Sequence, residues 1–178
     1  MTRSAPSPLV VDASAALAIS LQEPTSERAE SIFRERSLAG GALLVPAIFW
    51  LEVVNVLVRR HHQPPGLVLE EIVDLEGLGL ESVELDRPQL LLTIDVVARH
   101  GLSAYDAAYL ALAESADAQL LTADRRLAAA AGARAIALNG GHAVHEEAPT
   151  YAISWATWPG AAAYLKELRA RIVSQANG

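Results

Sequence analysis

The sequence predicts an α/β fold in which a parallel five-stranded sheet is covered by helices on both faces. Three observations lead there. Short apolar runs alternate with longer segments of helical period, as in strands linked by crossover helices. A chain of 178 residues that is 52% hydrophobic and 20% charged can bury one sizeable core, and its length favours a single domain. Breakers fall between the periodic segments: a glycine pair at 40–41, a proline pair at 64–65 and Gly101.

In chain order, "PLVVDA" (8–13) reads as a strand that ends in an acid, with a helix after "DAS". "SERAESIFRERSLAG" (26–40) is a charged helix closed by glycine. "ALLVPA" (42–47) is the second strand. "FWLEVVNVLVRRHH" (49–62) and "GLVLEEIVDLEGLG" (66–79) follow it as two helices, separated by the "PP" that no helix interior tolerates. "SVELD" (82–86) is the third strand, and "QLLLTIDVVARHG" (89–101) and "SAYDAAYLALAESA" (103–116) are helices divided by Gly101. "AQLLTA" (118–123), a short helix and "RAIAL" (134–138) complete the pattern. We expect a polar lead over 1–8, a folded domain over 9–138, and a C-terminal extension over 139–178 containing a loop and an amphipathic helix. In that helix Ala161, Leu165, Leu168 and Ile172 share one face.

Several classes are excluded or disfavoured. The chain has no cysteine, so a disulfide framework, a thiolate metal site and a cysteine nucleophile are all out, and a reducing cytoplasm is the expected location. "MTRSAPSP" is read as a short polar lead and not as a signal peptide, and no apolar run is long enough to span a bilayer. A formal charge of −7 argues against nucleic-acid binding through a broad basic surface.

Two helices are unusually apolar. From Ile48 to Val58 only Glu52 and Asn55 are clearly polar, and from Ala104 to Ala113 Asp106 is the only charged residue. Both are expected to pack on more than one side. A lone carboxylate in such a helix is costly to bury unless something compensates it. Each acid also has a plain structural reading. Asp106, three residues after Ser103, can form a capping pair, and Asp124 in "LLTADRRLA" stands where a helix cap belongs. Asp12 can cap the helix after "DAS", although Ser14 is the more natural cap. Glu52 can lie on a wet stripe with Asn55 and Arg59, which fall within about 60° on a helix.

Joint placement shifts the balance. Asp12 ends the first strand, Asp124 follows the fourth, Glu52 lies one turn into the helix after the second, and Asp106 opens the helix that feeds the fourth. Ligands of open parallel sheets bind beyond the carboxyl ends of the strands, at the switch point. Four carboxylates cannot all stay ionised in one small pocket without a cation, and a hard divalent ion held by oxygen ligands resolves the repulsion.

The order "VDAS", "LEVVNVL", "SAYDAAYLALA", "LLTADRRLA" resembles the PIN-domain superfamily, and within it the VapC-type toxic ribonucleases of toxin–antitoxin modules. The similarity covers roughly residues 9–138. It implies a three-layer α/β/α sandwich and a metal-dependent endoribonuclease that uses Mg²⁺ or Mn²⁺. By position, its catalytic, metal-binding acids fall on Asp12, Glu52, Asp106 and Asp124, and its small polar helpers on Ser14, Asn55 and Thr122. The resemblance further implies an RNA substrate, a small antitoxin partner and a possible homodimer. Arg125 and Arg126 are candidates for phosphate contact, with a solvated helix face as the alternative. His61 and His62 read as surface residues at a helix end. The sole lysine, Lys166, is remote in sequence from all four candidate acids. Two other classes stay open: a non-catalytic interaction module on the same fold, and a metal-dependent phosphatase of the haloacid-dehalogenase type, whose D-x-D signature would need an acid where Ser14 stands.

Overall fold

The structure, a computed structural model, describes residues 6–139. The expected loop and amphipathic helix of the C-terminal extension, and the first five residues of the polar lead, lie outside the described residues. The chain runs β1 (Leu9–Val11), α1 (Ala13–Ser20), α2 (Ser26–Leu38), β2 (Leu43–Pro46), α3 (Phe49–Asn55), α4 (Pro65–Gly77), β3 (Leu80–Val83), α5 (Arg87–His100), α6 (Ala104–Ser115), β4 (Gln119–Thr122), α7 (Arg125–Ala131) and β5 (Ala135–Ala137). The five strands form one parallel sheet in the order β3-β2-β1-β4-β5.

That order fixes the layers. Movement from β1 to β2 and β3 runs one way across the sheet, whereas β3 to β4 and β4 to β5 run the other way. Right-handed crossovers therefore put α1–α4 on one face and α5–α7 on the opposite face. The packing agrees: α1 touches α2, α3 and α4, and α6 touches α5 and α7 while crossing β1, β2 and β4. The three-layer expectation holds. The switch point lies between β1 and β4, where Val11 pairs with Leu121.

The two central strands are buried on both faces: Leu9, Val10, Val11, Leu120 and Leu121 have no solvent exposure. In α6 every residue from Ala107 to Ala113 is buried, as its composition predicts. Four of those seven are alanines, which let the helix approach the sheet closely.

Local chemistry marks the boundaries. Gly101, at φ 63°, caps α5 in the left-handed conformation, with its N–H donating to Val97 O at 2.8 Å. Pro65 opens α4 at a position that needs no donor.

Two expectations need correction. The third strand, expected over 82–86, starts at Leu80 and ends at Val83. Asp86 is drawn instead to the N-cap of α5, where its Oδ1 accepts from Gln89 N–H at 2.9 Å. The expected helix over 49–62 does not stay α-helical: Val56–Arg60 forms a wider π turn, closed by His61 N–H to Val56 O at 3.1 Å. Packing around α3 and the π turn is broad: Phe49, Val53 and Leu57 are fully buried, Ile48, Trp50, Val54 and Val56 are half-buried against the core, and Leu51 and Val58 are exposed.

Because Leu121 is fully buried in a central strand, Leu121→Ala should cost about 2–5 kcal/mol in urea unfolding. A loss below about 1 kcal/mol would contradict its central place.

Candidate active site

The site begins at the seam between β1 and β4. Asp12 leaves β1 in extended conformation, its N–H donating to Leu121 O at 3.0 Å. This puts its carboxylate at the carboxyl edge of the sheet while leaving it only 7% exposed. Asp12 occupies the N-cap position of α1, yet its side chain makes no capping bond. Ser14 does not cap α1 either, against expectation. Its hydroxyl donates to Asp12 Oδ2 and accepts from Ala123 N–H at 3.0 Å. Thr122 acts in parallel, donating to the same Oδ2 at 2.7 Å and accepting from Asp124 N–H at 2.9 Å. Two hydroxyls thus clamp one carboxylate oxygen, and Oδ1 lies outside the clamp.

Asp106 and Asp124 keep the capping roles that their positions suggest. The Ser103 hydroxyl accepts from Asp106 N–H at 3.1 Å and donates to Asp106 Oδ2 at 2.8 Å. Asp124 Oδ1 accepts from Leu127 N–H at 2.7 Å. Capping does not remove either acid from the site, because both charges are felt at Asp12. Glu52, half-buried on α3, accepts a hydrogen bond from the hydroxyl of Tyr109 on α6. It does not belong to a fully wet stripe, although Asn55 and Arg59 on the same helix are exposed. Asn55 therefore stands outside the bonded cluster that holds Ser14 and Thr122. Arg126 donates to Gly101 O, which brings its charge to the start of α6, whereas Arg125 is simply exposed.

Tyr109 is the participant that sequence reasoning missed. A signal was present: it is the only hydroxyl-bearing side chain from Ala107 to Ala113, one turn beyond Asp106 on the same helix face.

Electrostatics ties these groups together. Burial, followed by the charges of Asp106 and Asp124, pushes the Asp12 carboxyl up to about 6 against the pull of the Ser14 and Thr122 hydroxyls. Asp106 is also raised, first by burial and then by Asp124, while Ser103 and Arg126 oppose the shift. The Tyr109 hydroxyl is driven well above the usual phenol range by burial and by the negative charges of Asp12 and Glu52. Among the described residues no three carboxylate or imidazole groups close into a ready-made metal cage. The donor set nevertheless suits Mg²⁺ or Mn²⁺, since every candidate ligand is a carboxylate oxygen and Mg²⁺ is commonly held by one or two carboxylates plus water. A cation here would also relieve the mutual repulsion that Asp12 registers.

Comparison with known proteins follows the same lines. The family model for the PIN domain matches residues 9–133. A protein named ribonuclease VapC3 from Pyrobaculum aerophilum is 35% identical over 126 residues, covering 67% of this chain and 92% of that relative. One of the same name from Mycobacterium tuberculosis is 40% identical over 129 residues, covering 71% and 90%. A crystal structure of a Pyrobaculum aerophilum protein aligns at TM-score 0.56 and 25% identity, over 74% of this chain and 83% of that one. A chain of a toxin–antitoxin complex from Klebsiella pneumoniae aligns at TM-score 0.54 over 74% and 98%. At 14% identity it attests the fold alone.

The raised Asp12 pKa sets a pH dependence. Its folded value, about 6, exceeds the ordinary 3.8, so the folded state holds the proton more tightly. This contribution to stability is fully present below pH ~4 and is lost as pH rises through about 6, a difference of about 3 kcal/mol. Urea unfolding in a chelator should show wild type weakening over that window. Asp12→Asn should flatten the curve and be the more stable protein at pH 7, and an equal slope in both proteins would refute the assignment.

Proposed function

The chain belongs to the PIN-domain family, and on that premise we propose that it is a metal-dependent endoribonuclease, the toxin of a toxin–antitoxin pair. The observation that carries the reading is the buried Asp12 carboxylate, clamped at the switch point and within the fields of Asp106 and Asp124. Relatives named ribonucleases, aligned over nine-tenths of their length, support the substrate class. Within this reading the catalytic domain spans 9–138, the substrate is RNA, the partner is a small antitoxin, and a homodimer and a cytoplasmic location are consistent with it. No helix among the described residues is long and apolar enough to cross a membrane.

Asp12, Glu52, Asp106 and Asp124 would hold Mg²⁺ or Mn²⁺, which when bound supplies an activated water, neutralisation of phosphate charge and assistance to the leaving oxygen. The protein's own groups do the arranging. Ser14 and Thr122 hold Asp12 at Oδ2 and so direct its other oxygen. Ser103 orients Asp106, and the backbone of Leu127 orients Asp124. Arg125 is exposed beside Asp124, and Arg126 donates to Gly101 O; in this reading both would meet a phosphate oxygen. Asn55, one turn beyond Glu52 and exposed, would offer a polar contact to the RNA. The overall charge of −7 is compatible with RNA binding when the attraction comes from the cation and these few donors.

Two outcomes check this reading. Millimolar Mg²⁺ or Mn²⁺ should raise the melting temperature, since an ion at 100 times its Kd stabilises by about 2.7 kcal/mol, and Asp106→Asn should shrink the response. An unmoved melting curve would remove the cation from the mechanism. Purified protein should also cut single-stranded RNA in Mg²⁺ but not in a chelator, and Asp12→Asn and Glu52→Gln should each abolish cutting. Wild-type rates in either variant would remove that residue from the catalytic set.

A further inference from the structure

Glu52 and Tyr109 come from opposite layers of the sandwich and meet over the carboxyl edge of the sheet. Tyr109 is fully buried at 0% exposure, and its hydroxyl donates to Glu52 Oε2. We propose that Tyr109 is a positioning residue that sets the place of the Glu52 carboxylate within the acidic pocket. The inference rests on the assignment of Glu52 to the cation-binding set.

The two partners differ in how tightly packing holds them. Tyr109 sits in the fully buried stretch of α6 from Ala107 to Ala113, between Ala108 and Leu110, so its ring is held by packing. Glu52 is only half-buried, beside the exposed Leu51 and one turn before the exposed Asn55, and its longer side chain has more rotamers to lose. The fixed group therefore locates the mobile one. The direction of the bond is settled by its partners: the phenol hydroxyl donates and the carboxylate oxygen Oε2 accepts. A buried hydroxyl donor needs an acceptor, which makes departure of Glu52 unfavourable. Tyr109 also follows Asp106 by one turn, so a single rigid helix places both Asp106 and, through this bond, Glu52. A purely structural role would be met as well by phenylalanine, for the rest of the stretch from Ala107 to Ala113 is alanine and leucine.

The test is Mn²⁺ binding to the full-length chain, read from the electron paramagnetic resonance signal of the free ion. Tyr109→Phe should weaken Mn²⁺ binding by about 10–100-fold, the usual effect of losing a partner that orients a ligand. Glu52→Gln should weaken it too, and the double variant should bind no worse than Glu52→Gln alone, because the hydroxyl then has no carboxylate to place. A merely structural tyrosine would lower the melting temperature and leave Mn²⁺ affinity unchanged; that result, or losses that simply multiply in the double variant, would overturn the proposal. Should Tyr109→Phe fold poorly, Glu52→Asp, which withdraws the carboxylate by one methylene while keeping the tyrosine, should show the same loss, and wild-type affinity there would also overturn it. If wild type binds Mn²⁺ and loses it on Asp12→Asn but not on Tyr109→Phe, only the positioning role fails. If wild type binds no Mn²⁺, the cation assignment and this inference fall together.

Discussion

Burying the Asp12 carboxylate at the end of the central strand is the constraint around which the rest of the site is arranged. An ionised group placed there loses several kcal/mol of hydration unless hydrogen bonds replace it. Two hydroxyls supply that replacement, and each is held by a backbone N–H from the chain leaving β4: Ser14 by Ala123, Thr122 by Asp124. Acid, hydroxyls and the Thr122–Asp124 segment therefore form one unit across the seam between β1 and β4. The compensation is incomplete, as the upward shift of the Asp12 pKa records. What the clamp leaves unbalanced is negative charge, which a bound cation would offset.

A second framework is α6. Its alanines bring it against the sheet, and the crossover from β3 to β4 carries it over β2 and β1. Its first turn consequently opens beside the strand ends, where Ser103 and Asp106 begin it. The helices α1 and α6 both start at this edge, and their N-terminal dipoles favour the carboxylates, and an approaching phosphate, by a few tenths to about 1 kcal/mol each. On the other layer α3 carries Glu52 half-buried, next to the exposed Leu51.

Capping and pocket chemistry coexist because a carboxylate has two oxygens. Asp124 gives Oδ1 to the start of α7, and Asp106 takes the Ser103 hydroxyl at Oδ2. Each cap orients its acid while the charge still acts on Asp12. A structural role at a helix start and a chemical role at the strand ends are therefore one placement with two consequences.

The sequence by itself determined the five strands, the parallel α/β architecture and the candidate acids. Those features depend on hydrophobic period, on breakers such as Pro64, Pro65 and Gly101, and on the position of each acid after a strand, all of which are local. It also carried the burial of α6, because a helix without a polar face has no wet side. Only the tertiary structure decided the rest. Asp86 chose the cap of α5 over the third strand, so β3 moved toward Leu80, a competition between two local roles that periodicity does not rank. Ser14 turned from capping α1 to clamping Asp12, because its acceptor and its donor, Asp12 Oδ2 and Ala123 N–H, converge only once β1 and β4 pair. The bond between Tyr109 and Glu52 spans 57 positions and joins opposite faces of the sheet. No spacing rule within a helix or strand encodes such a contact; it exists because the crossovers bring α3 and α6 to the same edge.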